Sequence, residues 1–371
     1  MAGVILDGPV LVLNAGSSNL KCALFELRSG QPARIASTRF EAAGQGADAA
    51  AILSWASAQA PVSVCAIGHR VVHGGPAFHE PTLLDGDTID ALEALSPLAP
   101  LHQPQSLAAV RAMKALRPDL PQVACFDTAF HWTQPACATR LGLPRVLHDR
   151  GVRRYGFHGL SYDFIAGRLR TLDPALAAGR VIVAHLGSGA SLCAMRGGAS
   201  IDTTMGFSPL DGLLMSTRCG ALDPGVVLYL AQHEGLGASA IEDLLYHRSG
   251  LLGVSGISGD MRALLASPEA AAGEAVELFI YDAVKQIAAL AGALGGLDGV
   301  VFTAGIGENS PMVRARIAEG LAWLGLELDE TLNLRGGEAR LSTAHSGMRA
   351  WVIPTDEEQV IARQTCEVLS K

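Results

Sequence analysis

The sequence predicts an α/β protein built from two domains with similar cores. Three observations carry this. The chain has 371 residues, more than one core usually spans. Apolar runs of strand length alternate with segments of helical period, which favours layered α/β structure. And two segments resemble each other. With Gly16 placed over Gly187, "LNAGSSNLKCAL" (13–24) lies over "AHLGSGASLCAM" (184–195), matching Gly-Ser, Cys-Ala and the flanking apolar positions. Gly and Ser are common in turns, so two unrelated hairpins are the bland alternative. An internal duplication is the sharper one.

The elements follow in order. Residues 10–28 read as strand, turn, strand. "VSVCAIGHRVV" (62–72) reads as a buried strand ending in a polar cluster, and "VACFD" (123–127) does the same. "LAAVRAMKAL" (107–116) has helical spacing and ends at Arg117-Pro118. Between 130 and 160, Pro135, Pro144, Gly151 and Gly156 punctuate a loop rich in His and Arg. A domain boundary is expected there, giving domains 1–148 and 149–357, with a C-terminal helix 358–371 packing back on the first. "GRVIVAHLGSGASLCAM" (179–195) restarts the strand–turn–strand pattern. Residues 274–294 predict a long helix. "GVVFTAGIGENS" (299–310) reads as strand, Gly-rich turn and helix start. The last segment is a strand and then a helix that Thr355 caps.

Composition excludes several classes. Charged residues are 17% and hydrophobic residues 49%, against disorder. A net charge of −8 speaks against nucleic acid as a partner. Seven scattered cysteines without a CxxC pair suit a reducing compartment, not a disulfide framework or zinc site. The start lacks a basic region and Asp7 interrupts its apolar run, so no signal peptide is expected. No apolar run is long enough to span a bilayer. A soluble, cytoplasmic protein is the expectation.

The chemistry-bearing residues form three groups. No Gly-rich loop fits GxxxxGK[ST] or completes GxGxxG. Yet three such loops each follow an apolar strand, and backbone N–H groups in Gly/Ser turns form anion-binding concavities. Arg70 in "GHRVVHGG", Arg153, Arg154 and His158 in "RRYGFHGLSYD", and Arg218 in "LMSTRCGALDPG" sit beside glycines, where backbone approaches a ligand closely. A lone arginine is more often a surface ion pair; three such sites point to an anion clamp. Asp127 follows a buried strand, where a strand-end cap is the bland alternative. Glu357 and Glu358 stand at a helix start, where complementing the helix dipole is worth roughly 0.3–1 kcal/mol; that reading is kept for Glu358. His79, His148, His233, His247 and His345 read as surface or satisfied loop residues.

At this point the chain resembles a known family, the acetate kinases, which share a superfamily with sugar kinases, actin and the heat-shock chaperone ATPases. The likeness runs in order through "LNAGSSNLK", "GHRVVHGG", "APLHQPQ", "CFDTAFH", "RRYGFHG", "AHLGSGAS", "DTTMGFSPLDGLLMSTRCGALDP", "SGLLGVSGISGDMR", "VFTAGIGENS" and "IPTDEEQVIA". The resemblance implies two duplicated actin-like (ribonuclease H-like) domains with an interdomain nucleotide cleft. It also implies a homodimer, ATP or ADP as co-substrate and Mg²⁺, with Mn²⁺ as a substitute. It puts Asn14 and Glu357 at the metal and Lys21 on the phosphate side. Arg70 and Arg218 fall on the carboxylate and the transferring phosphoryl group, with His158 beside them, and Asp127 is the essential acid. His185, Leu186, Gly187, Ser188 and Gly189, then Asp260, Met261 and Arg262, then Gly305, Ile306, Gly307 and Glu308 are implied for the nucleotide. Val72, Leu101, Phe157 and Pro209 are implied for the acetate pocket. Three positions depart from the family's pattern: Ser188 replaces Asn, Asn19 replaces Ser and Tyr162 replaces His. The chain is also short between residues 25 and 65.

The implied reaction is reversible: ATP and acetate give acetyl phosphate and ADP. A carboxylic acid titrates near ~4, so the nucleophile is already ionised and needs no general base. Positioning and charge stabilisation dominate phosphoryl transfer. On that reasoning Arg70 grips the carboxylate bidentately, and Asp127 orients metal-bound water or an arginine rather than removing a proton. A propionate or butyrate kinase is the near alternative. An ATP-gated binding protein on the same fold is the distant one, and the joint presence of Arg70, His158 and Arg218 weighs against it.

Overall fold

The computed structural model describes residues 8–16, 19–28, 31–41, 48–60, 62–100 and 102–371. The chain divides into two compact units. The first holds Met1–Trp132, His158–Phe164 and Asp356–Lys371; the second holds Thr133–Phe157 and Ile165–Thr355.

The first unit is built on six strands: β1 (Val10–Ala15), β2 (Asn19–Arg28), β3 (Gln31–Glu41), β4 (Ala66–Val71), β5 (Thr82–Leu83) and β6 (Gln122–Phe126). Their order in the sheet is β3-β2-β1-β4-β6-β5. β1, β2 and β3 form an antiparallel meander, β4 and β6 add in parallel, and β5 closes the edge antiparallel. The second unit has β7 (Arg180–Leu186), β8 (Ala190–Arg196), β9 (Ala199–Thr203), β10 (Gly299–Thr303), β11 (Ala339–Arg340) and β12 (Arg349–Val352). Their order is β11-β12-β10-β7-β8-β9. Again a three-strand meander is followed by two parallel strands and a short antiparallel edge. Strand for strand the two sheets trace one path, so the duplication read from two short segments extends over both sheets.

The ungapped match of the two hairpins needs one correction. Ala15 pairs with Leu20 across residues 16–19, but Leu186 pairs with Ala190 across 187–189. The second turn is one residue shorter, so the match holds along the first strand and slips by one after the turn.

Alternation within the strands decides what the first unit's faces carry. Val10 and Val12 pack with Ala23, Phe25, Ala66, Val123 and Cys125 against Val360 and Ile361 of the helix Glu357–Leu369. Leu11 and Leu13 point the other way, to Ile67, Ile52 and Met113. By the same two-residue period Asn14, Arg70 and Asp127 fall on the face that meets the C-terminal helix. Gly68 lets that helix lie close: a Cβ there would stand 2.3 Å from Thr365 Oγ1 and 2.7 Å from Ile361 Cγ2.

Other elements differ in detail from expectation. The helix read at 107–116 runs from Gln103 to Leu116, and that at 274–294 from Ala270 to Leu294. The stretch expected as a loop contains short helical turns at Ala129–Thr133, Ala136–Thr139 and Arg145–Asp149. The C-terminal helix is capped by Asp356, whose side chain accepts from the Gln359 N–H at 3.0 Å, not by Thr355. After β10 no free turn intervenes: the helix Ala304–Asn309 starts at once and contains the glycines.

Candidate active site

In the first unit, three parallel or central strands end side by side in polar residues. Arg70 near the end of β4 meets Asp127 just beyond β6. Its Nε donates to Asp127 Oδ1 and Oδ2 at 3.1 and 3.0 Å, and its Nη2 to Oδ2 at 2.5 Å. Its Nη1 donates to the Ala15 carbonyl at 3.1 Å and lies 3.5 Å from Asn14 Oδ1. Asp127 is fully buried, at 1% exposure. Burial pushes its carboxyl up from the ordinary aspartate value; Arg70 counters this, and Glu357 pushes the same way as burial. Burial also opposes the Arg70 charge, but Asp127, Glu357 and Glu358 outweigh it and hold the guanidinium above its usual value. A side-on guanidinium–carboxylate contact of this length is an ion pair at neutral pH.

This geometry revises the expected role of Arg70. The fork expected to hold the acceptor carboxylate is taken by Asp127. Of the five guanidinium N–H groups, the second hydrogen on Nη2 has no partner among the described residues. Asp127 is thus paired with an arginine.

The C-terminal helix brings the other carboxylates. Asn14 Nδ2 donates to Glu357 Oε2 at 2.9 Å and to Glu358 Oε1 at 2.7 Å. Glu358 also lies 3.9 Å from Lys21 Nζ and 3.5 Å from Arg34 Nη2. Helix-dipole complementation therefore understates Glu358; its side chain ties Asn14 to two cations. Oxygen donors dominate here, and Glu357 raises the Asp127 pKa by like-charge repulsion. A hard divalent cation fits such a donor set. Among the described residues no group of three or more Asp, Glu, His or Cys encloses a single metal position.

His158 stands before the helix Gly159–Leu172 with φ of 59°, a conformation costly for a residue with a Cβ. The Gly159 N–H donates to the Asp127 carbonyl at 2.8 Å, and a Cβ on Gly159 would come 2.1 Å from that oxygen. Only glycine allows this approach, which sets His158 next in sequence to a residue pinned on Asp127. Tyr162, one of the departures, is buried against Phe130 and His131. Val72 is buried just beyond β4. Leu101 lies outside the described residues, as does the Asn19 side chain. Gln103 went unremarked as a site residue in the sequence, although it lies within "APLHQPQ". It is fully buried and holds the His73 backbone by two hydrogen bonds, at 3.1 and 3.0 Å.

In the second unit the corresponding strand ends carry uncharged, buried residues. His185 and Leu186 end β7, and Gly187 follows; a Cβ there would meet the Gly189 carbonyl at 3.2 Å and Ala304 Cβ at 3.5 Å. Ser188 is exposed, and its carbonyl accepts from the Ser216 N–H at 3.1 Å. Ser216 Oγ in turn donates to the Gly259 carbonyl at 2.5 Å, next to Asp260. Ser216 thus links two of the implied nucleotide segments, a role its sequence position did not reveal. Asp260 caps the helix Met261–Ala266 and pairs with Arg262 at 2.8 Å; both are exposed, and Met261 is buried. Glu308 Oε1 accepts from the backbone of Ala304 at 2.8 Å and of Thr355 at 3.1 Å, bracing Ala304 at φ of 65°. Gly305 is exposed, Ile306 partly so, and Gly307 is buried. Arg218 Nη1 donates to the carbonyl of Pro209 at 2.9 Å; Pro209 and Phe157 are both buried.

Comparison with known proteins identifies the family. Residues 47–363 match the model of the Acetokinase family. The chain is 50% identical over 384 aligned residues to the acetate kinase of Rhodopseudomonas palustris (strain ATCC BAA-98 / CGA009), covering 95% of this chain and 96% of that protein. It is 48% identical to the acetate kinase of Rhizobium meliloti, covering 97% and 98%. Among solved structures, the acetate kinase of Porphyromonas gingivalis matches with a TM-score of 0.86 at 35% identity, over 98% of this chain and 100% of that one. A propionate kinase from Francisella tularensis subsp. tularensis SCHU S4 matches with a TM-score of 0.86 at 34% identity, over 96% and 99%. With the two matching sheets, these likenesses place the chain in the acetokinase family.

Proposed function

We propose that the chain catalyses reversible phosphoryl transfer between ATP and acetate, giving acetyl phosphate and ADP. The observation that carries this reading is the buried Arg70–Asp127 pair at the sheet's end, beside Asn14 and the two glutamates. It supplies a preset cation for an anionic acceptor and oxygen donors for a metal in one place. The first unit is assigned to the acceptor and the metal, the second to the nucleotide.

The chain's own groups then have defined tasks. Asp127 holds Arg70 in one orientation, so that its remaining Nη2 hydrogen meets an acetate oxygen without reorganisation. The acceptor is ionised at neutral pH and needs no proton removed. Arg218 is assigned to the equatorial oxygens of the transferring group and His158 to the same charge. Asn14 and Glu357 are assigned to Mg²⁺, which when bound neutralises phosphate charge. Ser188 and Gly189 of the turn after β7, and Gly305 and Ile306 in the first turn of the helix Ala304–Asn309, are assigned as backbone N–H donors to the nucleotide, while the Gly187 N–H is taken by the Gly189 carbonyl. His185, Leu186, Asp260, Met261, Arg262 and Glu308 are assigned to shaping that site. Val72, Phe157 and Pro209 are assigned to the acyl group.

The propionate kinase with an equal TM-score keeps a second acid in view. One methylene discriminates by only ~1–3 kcal/mol, so the fold does not separate the two. A homodimer is part of the proposal. The helix Pro224–Gln232 reads PGVVLYLAQ and none of its residues is buried, with Leu228 at 57% and Tyr229 at 52% exposure. Sedimentation of wild type against Leu228→Glu tests it. Among the described residues no helix is long and apolar enough to cross a membrane.

The deciding experiment is acyl-phosphate formation from MgATP, trapped with hydroxylamine, with acetate, propionate and butyrate compared. Signal falling with chain length supports the reading. A maximum at propionate or butyrate moves the substrate. No signal with any acid overturns it. Within the same assay, Arg218→Ala is expected to lose roughly 10³-fold in kcat; a folded variant within tenfold of wild type removes that assignment.

A further inference from the structure

Beside the start of the C-terminal helix, β2 and β3 border a cavity of about 350 Å³. Its lining includes Lys21, Arg34, Ser37, Thr38, Arg39 and Glu358. Three cations thus face one carboxylate. A solvated basic face is the ordinary explanation of such a cluster, but the register argues otherwise. Lys21 and Arg39 are direct partners across the antiparallel pair β2–β3, and like charges in that position destabilise a sheet. Arg34 is held by Asp356 at 2.5 Å and Glu358 at 3.5 Å, and Lys21 lies 3.9 Å from Glu358. Arg39 makes no hydrogen bond or ion pair with any described residue. A pair of opposed cations, one of them unmatched among the described residues, at the wall of a cavity that also carries the Ser37 hydroxyl on the same strand face, is what an anion site requires.

We propose that this cavity binds a phosphate-type dianion, with Arg39 and Lys21 meeting its charge and Ser37, on the same face of β3 as Arg39, donating to its oxygens. Lys21 then serves this cavity and Glu358 rather than the nucleotide. Glu358 competes with the dianion for Lys21 and Arg34, and Glu358 is also bonded to Asn14. Occupancy of the cavity and the setting of Asn14 are therefore linked, and the linkage runs in both directions.

The test is calorimetric titration of the whole protein, with Mg²⁺ and a non-hydrolysable ATP analogue saturating the catalytic centre. Inorganic phosphate and glycerol 3-phosphate are the probes, which separates free phosphate from a phosphate ester. Wild type is expected to bind at least one of them. Arg39→Ser is expected to weaken it about tenfold or more, as loss of a charge-assisted contact does, and Arg39→Lys to retain most of it. Glu358→Gln, which removes the competitor, is expected to tighten it. Arg28→Ser, at the far end of β2, controls for general charge loss. No binding to wild type at millimolar concentration overturns the proposal. So does equal affinity in Arg39→Ser, or an equal loss in Arg28→Ser. The readout needs no turnover, so it stands or falls apart from the kinase reading.

Discussion

At the ends of β1, β4 and β6 stand Asn14, Arg70 and Asp127. At the matching ends of β7, β10 and β12 stand Leu186-Gly187, Thr303-Ala304 and Ile353 with Pro354. The paths through the two sheets are the same. The first unit fills the position with an amide and an ion pair, hydrogen-bonded to one another and to the glutamates of the last helix. The second fills it with uncharged residues, two of them the small Gly187 and Ala304. The difference teaches what duplication permits. A strand end on a packed sheet is a rigid platform; one copy can carry fixed charges for a reacting group while the other carries N–H groups for a polyanion. If so, changes in the first unit should act mainly on kcat, and changes in the second mainly on nucleotide affinity.

The largest effect should come from Asp127→Ala. It leaves the buried Arg70 guanidinium without its bidentate partner. Breaking a buried pair from one side costs roughly 3–5 kcal/mol, to be read by denaturant unfolding. The loss of orientation at Arg70 should lower kcat by about 10³-fold, the scale of an arginine contact to a transferring phosphoryl group. A variant that keeps kcat within tenfold while losing stability would make Asp127 a structural residue only. The proposed division of labour would then break on its charged side.

Much of this platform was legible in the sequence because strand ends announce themselves. An apolar run that stops at a polar residue locates Asp127, the neighbouring glycines single out Arg70, and the family resemblance supplies Asn14. What stayed hidden depends on chain returns. Glu358 meets Asn14 only because the last helix folds back over the first sheet, and a helix start offered a sufficient local reason for an acidic residue there. The Arg70–Asp127 fork was hidden for the same reason: the sequence shows both groups but not which one consumes the other's donors. Arg314 is the extreme case. It is fully buried and bonds the carbonyls of Gly307, Glu308 and Asn333, yet it looks like any helix arginine. Cap assignment failed at Thr355 because Asp356, one residue on, does the same work.

Acid should separate the units next. His69 and His73 lie in the first, and burial pushes both imidazoles down to about 4. Their folded values lie below the 6.5 of an exposed histidine, so the unfolded chain binds more protons between those limits. The stability they contribute is complete above 6.5 and is lost as pH falls toward 4. Each could cost about 3 kcal/mol over that window. Thermal unfolding at stepped pH should show a decline that His69→Gln makes shallower. An unchanged slope in that variant would mean that other groups set the acid limit.

A smaller, cleaner effect is expected at Gly305. A Cβ built there has nothing within 4 Å. Gly305→Ala should therefore leave unfolding within about 0.5 kcal/mol of wild type. If nucleotide phosphate approaches this backbone, KM for ATP should still rise about tenfold while KM for acetate holds. A silent substitution would remove Gly305 from the nucleotide contacts.

The smallest effect concerns Ser188, where the family's usual residue is Asn. Ser188 is exposed, and the bond that fixes its position is made by its carbonyl, to Ser216. Its side chain is thus free to differ without disturbing the turn. Ser188→Asn restores a longer donor to a backbone that stays where it is. A single added hydrogen bond is worth about 0.5–1.5 kcal/mol, so KM for ATP should fall by a few-fold at most, with kcat and Tm unchanged. That outcome would sharpen the comparison, because the second unit would be tuned by side-chain reach on a fixed backbone. A change in kcat instead would show that this turn touches the transferring group, and the separation of roles between the two strand-end platforms would have to be redrawn.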